Sequence, residues 1–164
     1  MTLRFMLTDM VDLRMQEAAG AALYDYNVEQ TGIADRRPVA AVATDPDTGL
    51  VVGGLWGRTE FGLLFLEMFF LPAALRGQAA GAQLLAMVEG EAMRRGCKRA
   101  VVETSTFQAP GFYVRHGYHE FGRVSFEVDG HARVFMRKEL GQGEVATAAT
   151  TASAGSGIRA SVSE

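Results

Sequence analysis

The sequence predicts a single-domain α/β protein built on a mixed sheet with helices on both faces. Three observations carry this prediction. Runs of β-branched and aromatic residues alternate with runs at helical spacing. Two pairs of strand-like runs are joined by short turn sequences, Asp45-Pro46-Asp47-Thr48-Gly49 and Asp129-Gly130. One run, residues 63–71, is apolar on both faces except at Glu67, as a strand in the middle of a covered sheet should be.

The elements follow in order. Val11, Met15, Ala18, Ala22 and Tyr26 recur at helical spacing and Gly32 follows as a stop, which predicts a helix over 11–32. Residues 39–44 and 50–58 form the first hairpin, and residues 63–71 the next strand. Pro72 ends that strand. After Arg76-Gly77-Gln78 a helix runs to about residue 95, burying Leu84, Leu85, Val88 and Ala92 and turning Glu89, Glu91, Arg94 and Arg95 to solvent. Gly96 caps it. Residues 100–103 form a strand, Pro110 opens a short helix ending near Gly117, and residues 118–128 and 132–140 form the last hairpin. The pattern also allows a first strand over 2–8. The domain is expected to span residues 1–140. In the segment 141–164, 17 of 24 residues are Gly, Ala, Ser or Thr, too few large apolar groups to offset ordering entropy, so a disordered low-complexity tail is expected.

Composition narrows the classes. A chain of 164 residues, 48% hydrophobic and 21% charged, suits one globular domain. A formal net charge of -3 gives no attraction to phosphate backbones, which argues against a nucleic-acid partner. The longest apolar run is broken by Glu67 and Pro72, so no membrane association is expected. The start of the chain lacks the basic-then-apolar layout of a signal peptide, and Cys97 is the only cysteine, so a cytoplasmic location is expected.

The chemistry concentrates in residues 65–85. A buried strand leads through small residues into a helix, and a helix N-terminus offers unpaired N–H groups and a positive dipole end to a phosphate. Gly77, Ala79, Ala80, Gly81 and Ala82 allow a pyrophosphate to approach the backbone, and Arg76 adds a charged donor. Close packing of helix on sheet is the competing use of such small residues. A P-loop is excluded because no Gly-Lys-Ser/Thr triplet follows, and the dinucleotide pattern lacks a glycine. A second block, Thr106-Phe107-Gln108-Ala109-Pro110-Gly111-Phe112-Tyr113-Val114-Arg115-His116-Gly117-Tyr118, places Tyr113 on the short helix.

Together, Leu75-Arg76-Gly77-Gln78-x-x-Gly81 before a helix and Ala109…Phe112-Tyr113…Gly117-Tyr118 after the next strand resemble the GNAT superfamily of acyl-CoA-dependent N-acetyltransferases. The resemblance covers roughly residues 1–140. It implies a largely antiparallel sheet with one splayed parallel strand pair, and acetyl-CoA as co-substrate. Its acetyl group would pass to the primary amine of a small molecule by direct attack in a ternary complex. It further implies that the pantetheine arm pairs with the backbone at Phe69 and Leu71, and that the pyrophosphate sits on Arg76, Gly77, Gln78, Ala79, Ala80, Gly81 and Ala82. Tyr113 matches the tyrosine that protonates or orients the leaving sulfur, and a backbone N–H near Phe69 would stabilise the oxyanion. Two positions depart from the pattern: Ala79 stands where the loop has an inner glycine, and Thr106 where an asparagine often contacts the pantetheine.

Glu67 is the candidate general base, as the one charge in an apolar strand whose burial would raise its pKa; pairing with a nearby arginine is the alternative. Tyr24, Tyr26, Asn27 and Trp56 are expected around the substrate, with Asp25, Glu29 and Glu60 favouring a cationic amine. His116, His119 and His131 have no metal-ligand spacing, so no metal is expected; they read as surface or turn residues, with His119 a remote alternative base. Cys97 reads as a packing residue. A protein or peptide N-acetyltransferase and a non-catalytic acyl-CoA-binding regulatory module are the competing functions. The edge of the terminal hairpin suits a homodimer.

Overall fold

The structure, a computed structural model, describes residues 3–77 and 79–141. The tail expected beyond Gly141 lies outside the described residues. Helix α1 (Leu13–Thr31) is followed by strands β1 (Arg37–Thr44), β2 (Val51–Glu60) and β3 (Leu63–Phe70), then by one 3₁₀ turn at Ala73–Leu75. Helix α2 (Ala80–Arg94), β4 (Arg99–Ser105), α3 (Pro110–Arg115), β5 (His119–Ser125) and β6 (Ala132–Glu139) complete the order. The six strands form one sheet in the order β1-β2-β3-β4-β6-β5. Every neighbouring pair is antiparallel except β3 with β4.

Local chemistry explains the helix ends. Asp12 caps α1 by accepting from the backbone N–H groups of Arg14 and Met15, and Gly32 ends it in the left-handed region at φ 69°. At the end of α2, Gly96 N–H bonds to Met93 O at 2.9 Å and Cys97 N–H to Ala92 O at 2.9 Å, a Schellman closure that needs the positive φ of Gly96.

Helix α2 packs across β1, β2 and β3. The core between them holds Val39, Ala41, Leu55, Leu64, Leu66, Leu84, Leu85, Val88 and Ala92. The four apolar residues read as the buried stripe of α2 are all in it. Glu89, expected in solvent, is buried instead, because Tyr118 and Lys138 supply partners for its carboxylate. Arg95 is also drawn in, donating to Pro38 O at 2.9 Å and to Thr59 Oγ1 at 3.2 Å. Cys97 is buried in the core, as a packing residue should be.

Helix α1 forms where its spacing predicts, yet none of its residues is buried. It is tied to the opposite face through Tyr24, whose ring lies under the Arg36 guanidinium, which in turn pairs with Glu60 at 2.8 Å. Residues 3–8 form no strand, and Phe5 is 90% exposed, so the first strand allowed by the sequence is absent there. Strand β5 is an edge, with Phe121 and Val124 exposed. No helix among the described residues is long and apolar enough to cross a membrane.

Candidate active site

The site is made by two parallel strands that part. β3 and β4 pair only from Leu63 opposite Arg99 to Leu66 opposite Val102. Both strands continue, β3 to Phe70 and β4 to Ser105, without further pairing between them. The cause lies on the other side of β3. Trp56 stands opposite Met68 and Gly57 opposite Leu66, so Glu67 is one extra residue, a β-bulge that bends β3 away from β4. Glycine at 57 makes the bulge possible: a Cβ there would fall 2.2 Å from the Phe65 carbonyl oxygen.

A cavity of about 790 Å³ opens at the parting. Its wall brings together Glu67, Phe69, Leu71, Arg76, Gly77, Ala79, Gly81, Ala82 and Tyr113, nine of the residues singled out by sequence. Gln78 lies outside the described residues. Ala80 packs against the core instead of the cavity.

The loop into α2 is shaped for backbone contact. Gly77 is at φ 80° and Ala79 at φ 60°, and α2 begins without a side-chain cap. Among the described residues no side chain caps its first N–H groups, which suits them to an anion. The two readings of the small residues both hold, at different positions. A Cβ on Gly81 would sit 3.2 Å from Phe112 and 3.4 Å from Phe69, so this glycine serves helix–aromatic packing, whereas Gly77 meets nothing within 4 Å. Arg76 donates from Nε to Leu71 O at 2.9 Å, which fixes the loop to the end of β3.

Ala79 carries the left-handed strain that its side chain penalises. Ala79→Gly relieves about 1 kcal/mol of it, partly offset by the freedom glycine adds to the unfolded chain. The expected result is a small gain in melting temperature and tighter acetyl-CoA binding by calorimetry. Weaker binding would mean that the loop does not hold the cofactor in this conformation.

Tyr113 is 4% exposed, with its ring edge-on to Phe112 at 5.3 Å and to Tyr118 at 5.4 Å. Burial pushes its phenol up to about 12, so it stays protonated at neutral pH. Glu67 departs from expectation. Its side chain is 47% exposed and paired with Arg58, whose guanidinium also lies over the Phe65 ring at 4.2 Å. The bulge residue turns out toward Arg58 at the mouth of the parting, so the expected burial does not occur, and the arginine pair read as the alternative does.

Four other expectations meet a different arrangement. Thr106 is not on the cavity wall: its hydroxyl meets His131 Nδ1 at 3.2 Å and accepts from Ala132 N at 3.2 Å. Tyr24, Tyr26, Asn27 and Trp56 are not on the wall either. Tyr24 is held by Arg36, and the Trp56 ring lies across Gly54. Glu60 is buried between Arg36 and Arg58, its charge already matched. His116, read as a surface or turn residue, is on the wall, with Nδ1 2.7 Å from Phe112 O and its ring 4.3 Å from that of Phe112.

Sequence reasoning also missed Glu103, Thr104, Gln108, Phe112, Arg115 and Arg133 as wall residues. Gln108 Oε1 accepts from Ser105 N at 2.9 Å and lies 3.3 Å from Thr104 Oγ1, which folds the loop back over the end of β4. The helical spacing of Phe112, Tyr113 and His116 was the signal available for His116.

A parted parallel pair, a helix start beside it and a buried tyrosine are the arrangement that the resemblance to acyl-CoA-dependent transferases implied. An acetyltransferase (GNAT) domain family matches residues 42–140, more than half of the chain. Acetyltransferase Atu2258 of Agrobacterium fabrum (strain C58 / ATCC 33970) is 33% identical over 138 residues, covering 84% of this chain and all of that protein. Blasticidin-S acetyltransferase of Streptomyces morookaense is 36% identical over 116 residues, covering 69% of this chain and 85% of that protein. A solved structure from Agrobacterium tumefaciens superposes with a TM-score of 0.77 at 33% identity, over 84% of this chain and 99% of that one. The chain belongs to the GNAT family and is an N-acetyltransferase. Enzymes of this family use acetyl-CoA.

Proposed function

We propose that the protein moves the acetyl group of acetyl-CoA to the primary amine of a small molecule by direct attack in a ternary complex. The observation that carries this reading is the cavity where β3 and β4 part, with Tyr113 in its wall and the uncapped start of α2 at its rim. Likeness to blasticidin-S acetyltransferase supports a small-molecule amine over a protein chain as acceptor.

Arg76 and the backbone of residues 77–82 would hold the pyrophosphate, and the backbone at Phe69 and Leu71, beyond the last pairing with β4, the pantetheine arm. Acetyl-CoA supplies an activated thioester carbonyl. The amine nitrogen forms the new bond to that carbonyl carbon as the carbon–sulfur bond breaks. An N–H near Phe69 donates to the carbonyl oxygen as it gains charge. Tyr113 donates a hydrogen bond from its phenol to the departing sulfur, which leaves as the thiolate. Glu67, on the cavity wall, takes the proton that the amine sheds, through water.

The direct test is thiol release from acetyl-CoA against a panel of small amines that includes blasticidin S, with mass-spectrometric detection of the acetylated product. Turnover on at least one small amine, and none on peptides, is the expected result; acetylation of peptides alone would overturn the acceptor class. Glu67→Gln is expected to lower kcat/KM by about 100-fold near neutral pH. A variant with the parental kcat/KM would remove Glu67 from the mechanism.

A further inference from the structure

Glu89 is a buried carboxylate that the proposed chemistry does not use. Both of its oxygens have partners: Tyr118 Oη donates to Oε1 at 2.9 Å and Lys138 Nζ to Oε2 at 2.7 Å. A charge this deep persists because the ammonium neutralises it and the phenol completes its hydrogen bonding. Lys138 is itself held in place. Its stem passes 3.6 Å from where a Cβ on Gly117 would stand, and its ammonium lies 5.6 Å from the centre of the Tyr118 ring.

These groups converge on Tyr113. The fully buried Tyr118 ring meets the Tyr113 ring edge-on, at 5.4 Å and 70°. Tyr118 N–H also donates to Tyr113 O at 3.0 Å, so backbone and ring are both fixed. Glu89 lies on α2, the helix whose N-terminus borders the cavity, and Lys138 lies on β6. None of Glu89, Tyr118 and Lys138 lines the cavity, so any effect on the reaction must pass through a residue that does.

We propose that Glu89, Tyr118 and Lys138 are positioning residues that lock the ring of Tyr113 to helix α2, so that the acid and the cofactor-binding helix keep one relative placement. The proposal rests on the reading of Tyr113 as the group that meets the leaving sulfur. The Tyr118 ring fills space as any aromatic would, but its hydroxyl bond to Glu89 fixes the plane and depth of that ring against Tyr113. Losing the bond leaves the core filled and lets Tyr113 drift, and a misplacement of less than an ångström is enough to slow a positioned reaction.

The test is a double-variant cycle of Tyr118→Phe and Tyr113→Phe, read as kcat and KM separately on folded protein. Tyr118→Phe is expected to lower kcat about 10-fold while both KM values stay within about twofold. In the Tyr113→Phe background, Tyr118→Phe is expected to lower kcat no further, because residues that act through one another are not additive. Glu89→Gln keeps an oxygen that accepts the Tyr118 proton and is expected to retain most of the turnover that Glu89→Leu loses. If Tyr118→Phe does not fold, Lys138→Met in the same two backgrounds makes the same comparison.

Parental kcat in Tyr118→Phe beside a loss in Tyr113→Phe overturns the positioning role and leaves the acid reading intact. An additive loss in the double variant overturns it as well, since it marks Tyr118 as a packing residue independent of Tyr113. Parental turnover in Tyr113→Phe removes the acid reading and the proposal together.

Discussion

Tyr113→Phe is expected to fold as the parent does and to lose about 100-fold in kcat, with little change in the KM for acetyl-CoA. The ring supplies the packing, edge-on to Phe112 and Tyr118, and phenylalanine preserves it. What is lost is the hydroxyl. Burial holds that phenol at about 12, whereas an ordinary thiol titrates near about 8.5. The thiol is the stronger acid, so Tyr113 acts chiefly by hydrogen bonding to sulfur as charge develops there, a contribution of the size of one preorganised donor. The sign of the pH dependence follows. A phenol that loses its proton only near 12 stays in its donating form throughout the neutral and mildly basic range. Tyr113 therefore adds no basic limb to the parental kcat profile below about pH 11. Steady-state kinetics of both proteins over that range checks both statements. Parental turnover in the phenylalanine variant would remove Tyr113 from the chemistry.

The second large effect is on the frame of the site. Gly57→Ala is expected to destabilise the protein by about 3 kcal/mol, because the new Cβ would stand 2.2 Å from a backbone oxygen, where no side chain can yield. At this chain length that corresponds to a fall of roughly 10 °C in melting temperature. Residual folded protein should also bind acetyl-CoA less tightly, since Gly57 faces the bulge that parts β3 from β4. Gly90→Ala, on α2 with nothing within 4 Å of its Cβ position, is the matched control and should be neutral or slightly stabilising. Thermal unfolding of the pair separates a local clash from a general dislike of alanine; equal melting temperatures would contradict the bulge argument.

Much of the fold was legible because its signals are local. Gly32 ends α1, Pro72 ends β3, Gly96 closes α2, and Asp129-Gly130 turns the last hairpin. The apolar stripe of α2 has one register, and its four predicted members are buried. Burial of polar groups was harder, because it depends on partners distant in sequence. Glu89 and Lys138 are 49 positions apart, and Arg36 and Glu60 are 24 apart. Glu67 illustrates the same limit. One charge in an apolar run suggested burial, but the run stops being covered at the bulge, and a bulge is a property of two strands in register.

The site divides in the same way. Part of its wall comes from one stretch of sequence, residues 66–71 with 76, 77, 79, 81 and 82, which carries most of the proposed cofactor contacts. The rest of the wall is assembled from separate loops and strands, through Glu103, Gln108, His116 and Arg133. Apart from His116, one helical turn from Phe112, no spacing in the chain announces those neighbours. Tyr24, Tyr26, Asn27 and Trp56 were chosen as aromatic or polar residues near a presumed entrance, and that choice did not reach the wall.

The proposed acetyl-CoA site lies between the parted strands and the start of α2. Calorimetric titration of the folded protein with acetyl-CoA tests that placement. Saturable binding at one site per chain in the micromolar range is expected, weakened when Arg76 is replaced by alanine. A folded protein that gives no binding heat at any temperature tried, and no protection of the residue 76–82 amides from hydrogen exchange, would contradict it.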